Sequence, residues 1–344
     1  MKIIIDAMGG DNAPEEIVKG ALLARQDLGA ELILAGREAE IRRVLQEQGY
    51  STPPAGIEIA AASEVVDMED DPATVIRQKK DSSMAVGLRM LREGAADAMV
   101  SAGSTGALLS GATLITKRIR GIRRAALAPV MPSKSGRGAL LIDCGANAEC
   151  TPEYLLQFAY MGSFYARTVM GIENPRVGLL NIGAEETKGT PLQKEAYQLL
   201  KAAADQGRIC FAGNAEARDV LLGGFDVVVA DGYAGNILLK GIEGVGIYMI
   251  GELKGVFLKN LRTKIAAALV KKDMKAFKQK LDPSEIGGTM LLGISKPVIK
   301  AHGSSNAYAI RNAVRQALSC AQADVCGAIA ANIGYMKVDG QQTE

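Results

Sequence analysis

Tryptophan is absent from this 344-residue chain, histidine occurs once, at His302, and aromatic residues make up only 4%. Base-stacking platforms for nucleic acid need aromatic faces. Forty basic against thirty-eight acidic residues leave a net charge of only +2, so no nucleic-acid partner is expected. A single histidine excludes a His-cluster metal site, and no metal is expected. The five cysteines, at positions 144, 150, 210, 320 and 326, form no C-x-x-C pair. That spacing argues against a zinc ribbon or a disulfide framework and for a reducing, cytoplasmic setting. The opening MKIIIDAMGGD turns acidic after three isoleucines, too soon for a signal peptide. The longest uncharged run, Ala98 to Thr116, spans 19 residues but holds six Ser or Thr and three Gly. It reads as a buried strand, a turn and a helix rather than a membrane span. Neither G-x-G-x-x-G nor G-x-x-x-x-G-K-[ST] stands where a nucleotide loop needs it, so no cofactor is expected.

What the chain does have is glycine, 39 residues of it, and 48% hydrophobic residues, enough for a sizeable core. Short apolar runs alternate with helical patterns. The expected strands are 2–6, 32–35, 57–60, 98–101, 126–130, 139–142, 177–181, 208–212, 227–230 and 298–300. The expected helices are 14–28, 37–48, 83–93, 152–170, 191–204 and 306–329, with Pro14, Pro152 and Pro191 in first-turn positions. Such alternation implies crossover connections, hence an α/β fold with a mainly parallel sheet covered on both faces. With no repeat or linker in sight, residues 1–344 read as one domain.

Residues 241–281 break the rhythm and read as one or two long helices stopped by Asp282-Pro283. Between Lys254 and Lys280 nine basic residues face one acid, a local charge of +8, so the rest of the chain sums to about −6. With Val256, Phe257, Leu258, Leu261, Ile265, Leu269 and Val270 in the same stretch, the segment reads as a basic amphipathic hairpin. It suits an anionic membrane surface or an acidic protein. The plainer reading is a solvated helical pair packing a dimer, with Gly251 and Gly255 allowing close approach. A second basic run, Lys117 to Arg137, carries seven cations and no acid. It suits either a second anionic ligand or a solvated loop.

Five glycine-rich turns follow expected strands: Asp6–Asp11, Ser101–Gly106, Asp143–Asn147, Asn181–Gly189 and Asp231–Asn236. In a parallel sheet such turns gather at the carboxyl ends of the strands, where ligands bind. Glycine lets backbone N–H groups approach an oxyanion, and the following helix adds a favourable dipole. The expected ligand is therefore a small anion. Gly9, Gly10, Ser104, Thr105, Asn147 and Gly183 lie in these turns, and Lys188, Lys240 and Lys300 lie in or beside them as point charges for phosphate. His302, in a turn that opens a helix, can donate to a developing oxyanion or protonate a leaving group, or can be structural. Cys144 lies in a turn too, but a free cysteine reads more naturally as a small buried apolar residue. No G-x-S-x-G elbow supports a serine hydrolase.

The ordered motifs DAMGGD, SAGSTGALLSG, LIDCGAN, NIGAEETKG, AGNAEARD, VVVADGYAGNILLK, GGTMLLG and KAHGSSNAYAI are spread from Asp6 to Ile310, about nine-tenths of the chain. Together they resemble the bacterial acyl-carrier-protein:phosphate acyltransferases of phospholipid synthesis, the PlsX family. Ser104 stands where that family commonly has Asn, and Cys144 where it is usually aliphatic. The resemblance implies a Rossmann-like three-layer α/β/α fold and a homodimer associated peripherally with the membrane. It implies a cytoplasmic enzyme that moves a long acyl chain from acyl carrier protein to inorganic phosphate. The acyl phosphate would then supply a glycerol-3-phosphate acyltransferase on the way to phosphatidic acid.

On that reading Lys188 binds phosphate with backbone donors from Gly9, Gly10 and Gly183. Asn236 and His302 stabilise the oxyanion or aid thiolate departure, and Asp231 orients a cation; Asp6 belongs to the same site. Three other readings compete: a short-chain acyl-CoA:phosphate acyltransferase of the phosphotransacetylase kind, a nicotinamide-dependent dehydrogenase, and a non-catalytic adaptor recruiting carrier protein to membranes.

Overall fold

The computed structural model describes residues 1–281 (side chains to 278), 285 and 287–336. Among these, the strands are β1 Lys2–Asp6, β2 Glu31–Gly36, β3 Ile57–Ala61, β4 Ala98–Ser101, β5 Ala126–Ala128 and β6 Val130–Met131. They continue with β7 Ala139–Ile142, β8 Arg176–Asn181, β9 Cys210–Glu216, β10 Val227–Val229, β11 Thr289–Leu292 and β12 Val298–Lys300. One seven-stranded sheet runs β3-β2-β1-β4-β12-β11-β5, and a five-stranded sheet runs β6-β7-β10-β8-β9. Pairing is parallel except at β11, antiparallel to β12 and to β5, and between β6 and β7. The two sheets part at Pro129, between β5 and β6. Proline has no N–H to continue a ladder, while its carbonyl still accepts from Leu141 N–H at 3.0 Å.

Side-chain alternation in the strands builds the layers. Ile3 and Ile5 of β1 enter one apolar layer with Leu140, Ile142, Val227 and Val229 of the second sheet. Ile4, one residue out of phase, enters the other layer with Met99, Leu141 and Val228. Each layer therefore runs across both sheets. Helices α1 (Glu15–Leu28), α6 (Pro152–Thr168), α7 (Pro191–Asp205) and Ala307–Gln322 bury their apolar sides in the first layer, and α4 (Ser83–Glu93) and α5 (Thr105–Gly111) in the second. The expected α/β/α arrangement with a mainly parallel sheet is what the chain adopts.

Several elements differ from the expectations. Strand β11 was not foreseen: four residues between Gly288 and Gly293, inserted antiparallel, carry no helix-crossover signal. The expected helix 306–329 breaks at Asp324, whose backbone is left-handed (φ 44°) and whose carboxylate accepts from Gly327 N–H, starting a new helix Val325–Ala331. The basic stretch begins earlier than expected, with α8 spanning Gly232–Leu258, followed by α9 Leu261–Leu269 and α10 Lys271–Leu281. Asn260 ends the first of these by capping the second, its side-chain oxygen accepting from Thr263 N–H at 3.1 Å. Only Gly232 and Gly235 of α8, and no residue of α9, are buried. The expected stop at Asp282-Pro283 and the side chain of Lys280 lie outside the described residues. No helix among the described residues is long and apolar enough to cross a membrane.

Candidate active site

The order β3-β2-β1-β4 reverses chain direction of travel between β1 and β4, the crevice where open α/β sheets bind ligands. Parallel register sets Ile5 against Val100 and Ser101 against Lys300, so Asp6, Ser101 and Lys300 end three neighbouring strands at one level. Ser101 Oγ donates to Asp6 Oδ2 at 2.7 Å and accepts from Gly103 N–H at 3.1 Å. Gly9 packs over this pair: a Cβ there would lie 2.5 Å from Asp6 Oδ2 and 2.8 Å from Gly103 N. Only a bare backbone fits. The Lys300 ammonium donates to the carbonyls of Ala102 and Ala301.

Burial dominates both charges in this crevice. It pushes the Asp6 carboxyl up, against the opposing pull of the Ser83 and Ser101 hydroxyls and of Lys300. It pulls Lys300 down to about 8, against the attraction of Asp6 and Asp11. The turn after Lys300 is tied to the turn after β1, with Asp11 N–H donating to Gly303 O at 2.8 Å and Asn12 Nδ2 to Ser304 O at 3.2 Å. His302 is exposed. Its Nδ1 accepts from Ser304 N–H at 3.3 Å and meets Ser304 Oγ at 2.9 Å, which leaves the proton of a neutral ring on Nε2 as an outward donor. Ser104 caps α5 by accepting from Ala107 N–H, and Thr105 is the helix's half-buried first residue.

The second sheet carries the other three turns, at the ends of β7, β10 and β8. Asp143, fully buried, is their hub. Its Oδ1 accepts from the N–H of Leu127, Cys144 and Ala146, and its Oδ2 from Asn147 N–H at 2.7 Å and Asn147 Nδ2 at 3.0 Å. Asn147 Nδ2 also reaches Ala125 O at 2.8 Å, so this side chain holds the turn in place. The first turn of α8 lies against it so closely that a Cβ on Gly235 would come 1.9 Å from Asp143 O. Asn236 then stands exposed above Gly145, whose Cβ position is 3.5 Å from the Asn236 amide carbon. At the end of the adjacent β8, Asn181 Nδ2 donates to Lys188 O at 3.2 Å, closing the turn that presents Lys188. The lysine stem crosses bare Gly183, its Cγ 3.1 Å from that residue's Cβ position. Lys188 is exposed and has no ion-pair partner among the described residues.

The expected residues lie along the carboxyl edges of both sheets. Asp6, Gly9, Gly10, Ser104, Thr105, Lys300 and His302 line the first sheet's edge. Asn147, Gly183, Lys188, Asp231 and Asn236 line the second's, and no hydrogen bond or ion pair among the described residues joins the groups. Asp231, expected to orient a cation, caps α8 instead, accepting from Ala234 N–H at 2.8 Å. Lys240 points along α8 to Glu243 at 2.7 Å. Cys144 is buried, its thiol aimed at Gly235 O and pushed well above the ordinary thiol range by desolvation and by Asp143. Ser101 and Asp143 open two of the expected glycine-rich turns, but the sequence did not single them out as hydrogen-bond hubs.

The chain matches the model of the family described as "Fatty acid synthesis protein" over residues 1–328. It is 47% identical over 340 residues to a phosphate acyltransferase of Acetivibrio thermocellus, covering 98% of each chain. It is 51% identical over 318 residues to one from Alkaliphilus oremlandii, covering 92% of this chain and 93% of the other. Among solved structures it resembles a phosphotransacetylase from Streptococcus pyogenes (TM-score 0.63, 20% identity, 94% of each chain). It also resembles a 4-hydroxythreonine-4-phosphate dehydrogenase from Klebsiella pneumoniae (TM-score 0.55, 17% identity, 94% of this chain and 99% of that one). At such identities these two share the fold alone. Sequence match along nearly its whole length places this chain in the fatty acid synthesis protein family.

Proposed function

We propose that this protein transfers a long-chain acyl group from acyl carrier protein to inorganic phosphate, giving acyl phosphate for phosphatidic acid synthesis. Near-full-length identity to relatives named phosphate acyltransferase carries the reading. The unpaired Lys188 beside Gly183 supports it chemically, as a cation held where a free oxyanion can reach it. A phosphate oxygen attacks the thioester carbon, the C–O bond forms, the C–S bond breaks, and the departing sulfur takes a proton to leave as the carrier thiol. Phosphate is itself a nucleophile near neutral pH, so the protein supplies orientation and charge stabilisation rather than an activated side chain. In this reading Lys188 and the Gly183 backbone hold phosphate. Asn236 donates to the tetrahedral oxyanion, and His302 Nε2–H donates to the oxyanion or the leaving sulfur. Gly9, Gly10 and Lys300 support the crevice between β1 and β4.

The surface of α8–α10 belongs to the same reading. Ile247, Tyr248, Leu261 and Leu269 are each at least 64% exposed, among cations from Lys254 to Lys278. That combination suits peripheral attachment to an anionic bilayer, docking of acidic carrier protein, or pairing with a second copy, and it would keep a greasy product near lipid and near a glycerol-3-phosphate acyltransferase. Purified protein incubated with palmitoyl carrier protein and radiolabelled phosphate is expected to form acyl phosphate. Acetyl-CoA, offered in parallel, is expected to be a poor donor. Turnover of acetyl-CoA alone would favour the short-chain reading, and carrier binding without turnover would favour the adaptor.

A further inference from the structure

The opening of the basic run, from Lys117 to Arg120, takes no part in either edge described above. Its first residues are pinned to the segment after β11. Ile119 N–H donates to Gly293 O and Ser295 N–H to Lys117 O, each at 2.9 Å, and Arg118 forms an isolated antiparallel bridge with Ile294. This fixed backbone, the residues just before β4 and β12, and the Asp324 corner line an open pocket of about 460 Å³. It lies at the amino ends of the strands. Pro297 lines it, whereas Lys300 ends the same strand in the crevice, about 10 Å away at ~3.3 Å per residue.

Five charged side chains line the pocket: Arg118, Arg120, Lys296, Asp97 and Asp324. Both carboxylates are already engaged by backbone. Asp97 Oδ2 accepts from Lys2 N–H at 2.8 Å, and Asp324 Oδ1 from Gly327 N–H at 3.1 Å. The three cations form no ion pair among the described residues. Arg118 donates to one carbonyl, that of Arg123. With three cations against two carboxylates the lining keeps a net charge of +1, which favours an anion. Two guanidinium forks match the oxygens of a phosphate, and a lysine adds a point charge. The volume exceeds what a bare phosphate needs and falls in the range of small-molecule sites. Ile119 and Pro297 offer apolar wall for the remainder.

We propose that this pocket binds a phosphate monoester of a small organic molecule, at a site separate from the acyl-transfer site. Phenyl phosphate titrated calorimetrically into the Lys188→Ala protein tests this without relying on the candidate active site. One saturable site per chain is expected there. Arg118→Gln with Arg120→Gln in the same protein should weaken it at least ~10-fold. Because Arg118 also holds the Arg123 carbonyl, Lys296→Gln, altering an exposed and unpartnered side chain, is the control for folding and should weaken binding by itself. Absence of saturable binding up to about 10 mM, or an affinity unmoved by Lys296→Gln, overturns the proposal.

Discussion

Lys300 and Lys188 both stand at a carboxyl edge built from glycine turns, and their surroundings are opposite. Lys300 is half-buried beside Asp6 and Asp11, donates to two carbonyls and is pulled down to about 8 by desolvation. Lys188 is exposed, crosses a bare glycine and faces no carboxylate within ion-pair distance among the described residues. The same sequence device therefore serves two ends. At the first sheet it packs backbone against backbone and stores charge inside. At the second it braces the chain through Asp143 and leaves a cation and an amide outside, free for a ligand.

The largest effect should come from breaking the brace. Gly235→Ala puts a methyl 1.9 Å from Asp143 O and is expected to cost more than about 3 kcal/mol in urea denaturation. Gly244→Ala, farther along α8 with open space around it, should instead gain up to about 1 kcal/mol. If both behaved alike, the first turn of α8 would not be seated as described.

The half-buried charge of Lys300 gives the next contrast. A lysine depressed from 10.5 to about 8 adds stability above its unfolded value and loses it as pH falls through 8, because the unfolded chain takes up the proton first. Melting temperature of the wild type, relative to Lys300→Met, should accordingly rise between pH 8 and 10.5. Lys188→Met should show no such difference. A flat Lys300 profile would mean that the crevice is wet.

Asp231 gives the smallest effect. As a cap it should cost about 1 kcal/mol on replacement by Ala and almost nothing on replacement by Ser, which caps equally well. Were it orienting a cation, Ser would fail in the acyl-transfer assay as badly as Ala.

Much of this was legible in the sequence, for reasons that differ along the chain. Runs such as Ile3-Ile4-Ile5 and Val227-Val228-Val229 are buried on both faces and announce parallel strands directly. Helices with a cap or first-turn proline, such as those after Ser82, Thr151 and Thr190, were placed within a few residues. Strand β11 was not legible, since four apolar residues between glycines look the same in a loop. Nor was the division of the turns between two sheets. Strand order is a long-range property, and nothing local to Asp6 or Asp143 says that their strands belong to different ladders. Polar partners far apart in the chain were equally hidden: Ser101 meets Asp6 across 95 residues.

The central claim is that free phosphate is held at the second sheet's edge by Lys188. The phosphate dependence of acyl phosphate formation by Lys188→Ala, at saturating palmitoyl carrier protein, tests it most directly. The account predicts a phosphate KM raised at least ~10-fold, a loss in kcat/KM of about 100-fold or 2.7 kcal/mol, and a nearly unchanged melting temperature, since the exposed ammonium makes no ion pair among the described residues. A phosphate KM within twofold of the wild type would contradict it.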